Sequence, residues 1–318
     1  MKMKTRRAFI KKTGLGATAL AILPQTSLAH TLPNPKDSNL KISLAQWSLH
    51  RALEKGEIKA VEFAKIAKNT YGIDAVEYVN QFYVDHAMDE KYWGGLKVRA
   101  KDEGVKNILI MVDNEGELGN PNEVERKTAV DNHFKWIDAA KILGCHSIRV
   151  NAFGKGTKRE LHAALIDGLG NLAAYGAKEN INVLVENHGL HTSDGKFVIS
   201  VLQQVNSPYL GTLPDFGNWC QSAEWGSTEP SKNCGDVYPH SDGVADFLPF
   251  AKGVSAKTYD FDAAGNETSL DYPTLLKLVK ESGFDGHIGI EYEGVGMSEP
   301  EGIKATKRLI ERVWKTLD

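Results

Sequence analysis

The chain has 318 residues, 42% of them apolar, with 38 basic against 41 acidic side chains and a formal charge of −3. That length admits one large domain or two small ones. The balance offers no basic face suited to phosphate backbones, so nucleic acid is not an expected partner.

Residues 1–29 are expected to be an export signal rather than part of a fold. The run Thr5, Arg6, Arg7, Ala8, Phe9, Ile10 and Lys11 sets two adjacent arginines before a large apolar pair and a lysine, the pattern of twin-arginine export. A weakly apolar stretch from Gly14 to Pro24 follows, and Ser27, Leu28 and Ala29 offer small residues to a signal peptidase. The stretch falls short of the roughly 20 apolar residues that a membrane span requires. The expected destination is therefore the periplasm, with no span in the mature chain. Cleavage would remove six of the 38 basic residues and no acid, leaving 32 against 41 and a formal charge of −9.

Residues 30–39 are rich in Pro, Asn and Ser and read as a linker, with one domain over residues 40–318. A β-rich run, Ile42–Ala45, opens the domain and a helical pattern follows over Ala60–Asn69. The next strands are Ala75–Val79 and Lys106–Val112, followed by a helix over Glu123–Leu143. Ser147–Asn151 leads into a helix over Lys158–Lys178. Strands over Asn182–Asn187, Gly211–Asp215, Gly253–Lys257 and His287–Glu291 complete the series, and a last helix covers Ile303–Thr316. Eight strand-then-helix units predict an α/β fold of the closed (β/α)8 type, a single-domain TIM barrel, over an open doubly wound sheet. No GxGxxG follows the first strand, which weighs against a dinucleotide fold.

The longest irregular stretch runs from Asn218 to Gly243, after the sixth strand, where loops cover or shape a barrel's site; a purely decorative insertion is the alternative. Cys220 and Cys234 both lie in it. An oxidising compartment would let them pair, and the sequence leaves that pairing open. Cys145 leads into an apolar strand and reads as a buried thiol. None of the three shows the close Cys/His spacing of a structural zinc site.

Polar residues at the C-terminal ends of barrel strands point into a shared mouth. Three acids meet that condition after apolar runs: Glu186, Asp215 and Glu291. Converging carboxylates raise one another's pKa, and a divalent cation removes the conflict, hard oxygen ligands suiting Mg²⁺ or Mn²⁺. Each acid alone could instead cap a helix or pair with a basic neighbour. His188 shares a face with Glu186 if the fifth strand continues, and Asn218 stands where the insertion begins. Arg149 and Asn151 share a face of the fourth strand, as Ser255 and Lys257 do on the seventh. Arg149, His188, Asn218 and Lys257 are the expected substrate-binding groups, with an ion pair to a ring carboxylate as the alternative for Lys257. His50, His86, His146, His191, His240 and His287 lack such spacing and read as surface or packing residues.

The strings VENHG (185–189), PDFGNW (214–219), SAKTYDF (255–261) and GIEYEG (289–294) resemble those of the sugar phosphate isomerase/epimerase family, the xylose isomerase-like barrels, in strand order. The resemblance implies one divalent metal, with Mn, Mg, Co and Zn not distinguished, held by Glu186, Asp215 and Glu291. The family's fourth ligand is a histidine in a His-x-Lys string on strand seven, where this chain has Ser255, Ala256 and Lys257. It further implies a carbohydrate substrate and chemistry beside a carbonyl, through an enediolate, with Glu186 and Glu291 as the acid/base pair. An exported barrel would meet free sugars, oxidised sugars and glycosides rather than sugar phosphates. Elimination on 3-keto-glycosides and a non-catalytic carbohydrate-binding barrel are the alternatives, and a homo-oligomer is left open.

Overall fold

The computed structural model describes residues 40–317. The export signal expected at 1–29 and the linker expected at 30–39 lie outside the described residues. Eight parallel strands run β1 (Ile42–Ala45), β2 (Ala75–Val79), β3 (Lys106–Val112), β4 (Ser147–Asn151), β5 (Asn182–Glu186), β6 (Leu210–Leu213), β7 (Val254–Thr258) and β8 (Ile288–Tyr292). Each pairs with its sequence neighbour, and β1 also pairs with β8. Between β6 and β7 the ring is joined by two parallel bridges, Thr212 to Ala251 and Asp215 to Ser255. Most strands are buried at every position, as expected for parallel strands covered by helices on one side and facing their own barrel on the other.

The helices are α1 (His50–Glu54), α2 (Phe63–Tyr71), α3 (Glu90–Asp102), α4 (Glu123–Leu143), α5 (Lys158–Glu179), α6 (Gly195–Val205), α7 (His240–Phe247), α8 (Tyr272–Glu281) and α9 (Glu299–Trp314). Their ends are written locally. Asn122 caps α4 by accepting from the Val124 and Glu125 amides, and Gly144 stops it with φ 88°, which a Cβ would oppose. Thr157 with Glu160 and Ser298 with Glu301 form capping boxes on α5 and α9. Residue Ser298 explains why α9 begins at Glu299 and not at Ile303.

The eight strands fall where the sequence puts them, but several ends move. Strand β6 stops at Leu213 because Pro214 has no N–H for the ladder, so Asp215 lies beyond the strand and joins the sheet through its bridge to Ser255. Strand β5 ends at Glu186. Asn187 leaves the ladder and turns its side chain onto Asp215, accepting from the Asp215 amide at 2.7 Å and donating to its carbonyl at 3.0 Å.

One apolar cluster lies between sheet and helices, with Trp93, Trp136, Tyr272 and Phe247 among its buried members. A second, made of Ala45, Ala75, Val79, Ile108, Leu109, Met111, Leu184 and Leu213, includes residues that share strand faces with Glu77 and Glu186. Apolar packing therefore supports the mouth from beneath. The inward faces of β4, β7 and β8 carry polar residues instead: Ser147, Arg149, Ser255, Lys257 and Glu291, all buried.

Candidate functional site

The three acids read from the strand ends meet in space. Glu186, Asp215 and Glu291 are buried, and one oxygen of each lies within 4.8 Å of the others. Glu186 ends β5, Glu291 sits opposite Lys257 in the β7–β8 register, and Asp215 is anchored by the Gly217 amide at 2.8 Å. Burial raises Glu186 well above the usual carboxylate range; Arg149 opposes that rise, while Glu291 and Asp215 add to it. Burial likewise pushes Asp215 up to about 7, with Lys257 acting against it.

Two cations serve these acids differently. The Arg149 guanidinium has Nε 2.7 Å from Glu186 Oε2 and Nη1 2.5 Å from Asp113 Oδ1. The Nε contact is an ion pair without an aligned hydrogen bond, so Glu186 Oε2 keeps unused acceptor capacity. The Lys257 ammonium lies 3.2 Å from Glu293 Oε1, 3.4 Å from Glu291 Oε1 and 3.9 Å from Asp215 Oδ2, and donates to Asn218 Oδ1 at 3.2 Å. Burial works against its charge, but the three acids outweigh burial and hold the ammonium protonated well above its ordinary range. Lys257 thus meets its own barrel's acids. Asn218, fully buried, braces the two sides by donating from Nδ2 to Glu186 Oε1 at 3.4 Å.

His188 is held in one tautomer. Asn151 donates from Nδ2 to Asp113 Oδ1 at 2.7 Å, which turns its Oδ1 toward His188 Nδ1 at 2.6 Å. The imidazole therefore carries its proton on Nδ1 and presents Nε2 as an acceptor. Burial, with the Arg149 charge nearby, keeps this ring neutral well below the usual histidine range. His188 does not join the three-acid cluster, and neither do the six histidines read as packing or surface residues.

A cavity of about 310 Å³ opens at this mouth, lined by Asp113, Arg149, His188, Glu291, Glu293 and residues of three loops. The insertion after β6 borders it through Trp225, Ser227 and Lys232. Cys220 and Cys234 are disulfide-bonded across that insertion, resolving the pairing the sequence left open, and Cys145 is free and buried.

Three acids of the site were missed from sequence. Asp113 directly follows β3, and the same strand-end rule would have found it. Glu293 lies two residues past Glu291, on the face that alternation assigns to the mouth. Glu77 stands in the middle of β2, 1% exposed, accepting from Ser43 Oγ at 2.5 Å while its Oε2 has no hydrogen-bond partner. A Cβ on Gly289 would come within 2.7 Å of the Glu77 carboxylate, so the missing side chain on β8 makes its room. Burial pushes Glu77 up to about 7.

Residues 63–313 match the xylose isomerase-like TIM barrel family. The chain belongs to this family. As a xylose isomerase-like barrel it is similar to a Mus musculus protein provisionally named hydroxypyruvate isomerase, 25% identical over 217 residues, covering 62% of this chain and 73% of that one. Among solved structures it resembles the 3-keto-D-glucoside 4-epimerase of E. coli, with a TM-score of 0.64 at 13% identity over 86% of this chain and 100% of that one. It also resembles the IOLI protein determined with a zinc atom, with a TM-score of 0.65 at 13% identity over 88% and 99% of the two chains. At family level this supports an isomerase/epimerase-like enzyme.

The residues present fit a divalent ion. Glu186 Oε2 and Asp215 Oδ2 are buried and without hydrogen-bond partners. Among the described residues, five acids, Asp113, Glu186, Asp215, Glu291 and Glu293, face only two cations, Arg149 and Lys257. Oxygen ligands sit about 2.0–2.6 Å from such ions, so three oxygens within 4.8 Å need only small side-chain movements to share one. The fourth corner differs from the family string: Ser255 Oγ donates to Glu291 Oε2 at 2.7 Å, supplying a proton rather than a lone pair.

Proposed function

We propose that the protein is a metal-dependent isomerase or epimerase of a keto or aldo sugar, with Glu186 and Glu291 exchanging protons with the carbon beside the carbonyl. The observation that carries this reading is the meeting of those two carboxylates with Asp215, just beneath a 310 Å³ cavity that Glu291 and Arg149, the ion-pair partner of Glu186, help to line. A divalent ion held by Glu186, Asp215 and Glu291 would supply Lewis-acid polarisation of the sugar carbonyl.

The chain's own groups then divide the work. One glutamate, as carboxylate, takes the proton of the carbon beside the carbonyl, and the C–H electron pair passes into the enediolate. The other, as carboxylic acid, returns a proton. Delivery to the opposite face of that carbon inverts it; delivery to the neighbouring carbon exchanges aldose for ketose. Burial raises Glu186 well above the usual carboxylate range, which favours its acid form. Arg149 holds Glu186 in place, and Lys257 sets the charge around Glu291. His188 offers Nε2 as a hydrogen-bond acceptor to a sugar hydroxyl.

Elimination from a 3-keto-glycoside is the second reading. Its support is the extension of the cavity from the carboxylates to Trp225 and Lys232, room beyond the reacting carbons for a departing group. The Cys220–Cys234 disulfide suits an oxidising compartment, which supports export to the periplasm by the twin-arginine route.

The test incubates metal-loaded protein with free sugars and 3-keto-glycosides in D₂O. Deuterium beside the carbonyl with the skeleton and aglycone retained is the expected result. Aglycone release favours elimination. Sugar binding that survives both metal removal and Glu186→Gln, without exchange, would mean a binding barrel.

A further inference from the structure

Trp225 and Lys232 take no part in the proton chemistry, yet both line the cavity. Trp225 is the more telling. Its backbone has φ 68°, a region that a bulky side chain rarely occupies, and its indole is 44% exposed. Strained residues held against solvent mark sites where the surroundings fix them for a purpose.

Here the surroundings are specific. The disulfide closes the insertion at Cys220 and Cys234, and the Cys220 amide donates to the Gly226 carbonyl at 2.9 Å. The Leu190 amide donates to the Ala223 carbonyl at 3.1 Å, and Ser227 Oγ donates to Tyr259 Oη at 3.2 Å. Gly189 and Gly226 press backbone to backbone: a Cβ on Gly189 would lie 2.6 Å from the Gly226 nitrogen. Trp225 is thus clamped on both sides.

The indole meets His188 at 5.0 Å and Phe153 at 5.6 Å between ring centroids, nearly perpendicular to both. Among the described residues no ring stacks parallel to it. Across the mouth, at the end of β1, Trp47 stacks on His50 at 4.5 Å and also lines the cavity. Lys232, exposed beside Trp225, has no acidic partner within ion-pair distance among the described residues. The outer cavity therefore offers an aromatic platform and a free donor, the pair of features that receives a ring bearing hydroxyl groups.

We propose that the substrate is a glycoside of two joined rings with a ketone on its reacting ring, that ring lying between the carboxylates and the second ring resting on Trp225 beside Lys232. This rests on the sugar isomerase/epimerase reading of the same site and adds the size of its substrate. The second ring is bound by the insertion, whereas the reacting ring is bound by the barrel.

The test measures binding by calorimetry to metal-loaded full-length protein. The probes are paired methyl and p-nitrophenyl glycosides of glucose, galactose, mannose and 3-keto-glucose. The p-nitrophenyl member of at least one pair should bind about tenfold more tightly, the scale of one aromatic contact. Trp225→Ala should abolish that gap without changing affinity for the methyl glycoside, and Trp225→Phe should retain part of it. No gap in any pair, or a gap that survives Trp225→Ala, overturns the proposal. Deuterium exchange run in parallel keeps the two readings apart. A gap without exchange removes the chemistry and keeps the second-ring site; exchange without a gap does the reverse.

Discussion

The two cations of the site show two ways of burying charge. On the β4–β5 side, Arg149 sits 2.5 and 2.7 Å from one oxygen each of Asp113 and Glu186, and its planar fork fixes both. On the β7–β8 side, Lys257 lies 3.2–3.9 Å from oxygens of Glu293, Glu291 and Asp215 and favours no single partner. A fork specifies geometry, whereas a point charge supplies neutralisation that another cation can replace. The Arg149 half is therefore the rigid wall of the site, and the Lys257 half is the side that responds to a metal.

The largest expected effect falls where the halves meet. Glu186→Gln should lower turnover by about 10²–10⁴-fold, the ordinary contribution of a positioned acid or base, with the melting temperature little changed; retained turnover would remove Glu186 from the chemistry. Next, Arg149→Met should cost about 3–5 kcal/mol in denaturant unfolding, since it leaves the buried Glu186 and the half-buried Asp113 uncompensated. Lys257→Met should also destabilise the metal-free protein. At one fixed concentration, set to about 100 times the Kd of Lys257→Met, a divalent ion should restore about 2.7 kcal/mol to that variant and less to Arg149→Met, which also keeps its Asp113 deficit. Equal rescue of both would erase the distinction between the halves.

Glu77 tests the floor beneath both halves. Its carboxyl is raised by burial to about 7 from an ordinary value of 4.5. The folded state therefore favours its proton, so its stability contribution is complete below about pH 4.5 and lost as pH rises through about 7. Glu77→Gln stays neutral at every pH. It should match the parent near pH 4.5 and exceed it by about 3 kcal/mol at pH 9, read as unfolding free energy; a gap independent of pH would contradict a protonated Glu77. The smallest effect concerns the departed corner. Ser255→His would restore the family's imidazole and should tighten metal binding about tenfold, or about 1.4 kcal/mol.

Much of this arrangement was legible in the chain. Strand β5 shows why: Val183, Leu184 and Val185 form an apolar run that only a buried strand uses, and Glu186 at its end has nowhere to point but the mouth. Asp215 and Glu291 follow the same rule, and so does Asp113, which was overlooked. The sixth strand was expected to run to Asp215, but Pro214 ended it at Leu213, and Asp215 still reached the cluster through its bridge to Ser255. Trp225 gave no signal, because its role depends on a φ angle, a disulfide and two glycine backbones that meet only in the folded insertion.

The sequence by itself determined the barrel and the three-acid cluster, because strand periodicity and chain position fix which residues face the mouth; the strand-seven departure, Ser255 for histidine, was legible only against the family resemblance. Only the tertiary structure decided the partners. It gave Arg149 to Asp113 and Glu186, and surrounded Lys257 with three acids. It also fixed the His188 proton through Asn151, and set Trp225 over the cavity. These are distances between side chains from different strands and loops, set by barrel closure and packing, and local pattern carries no record of them.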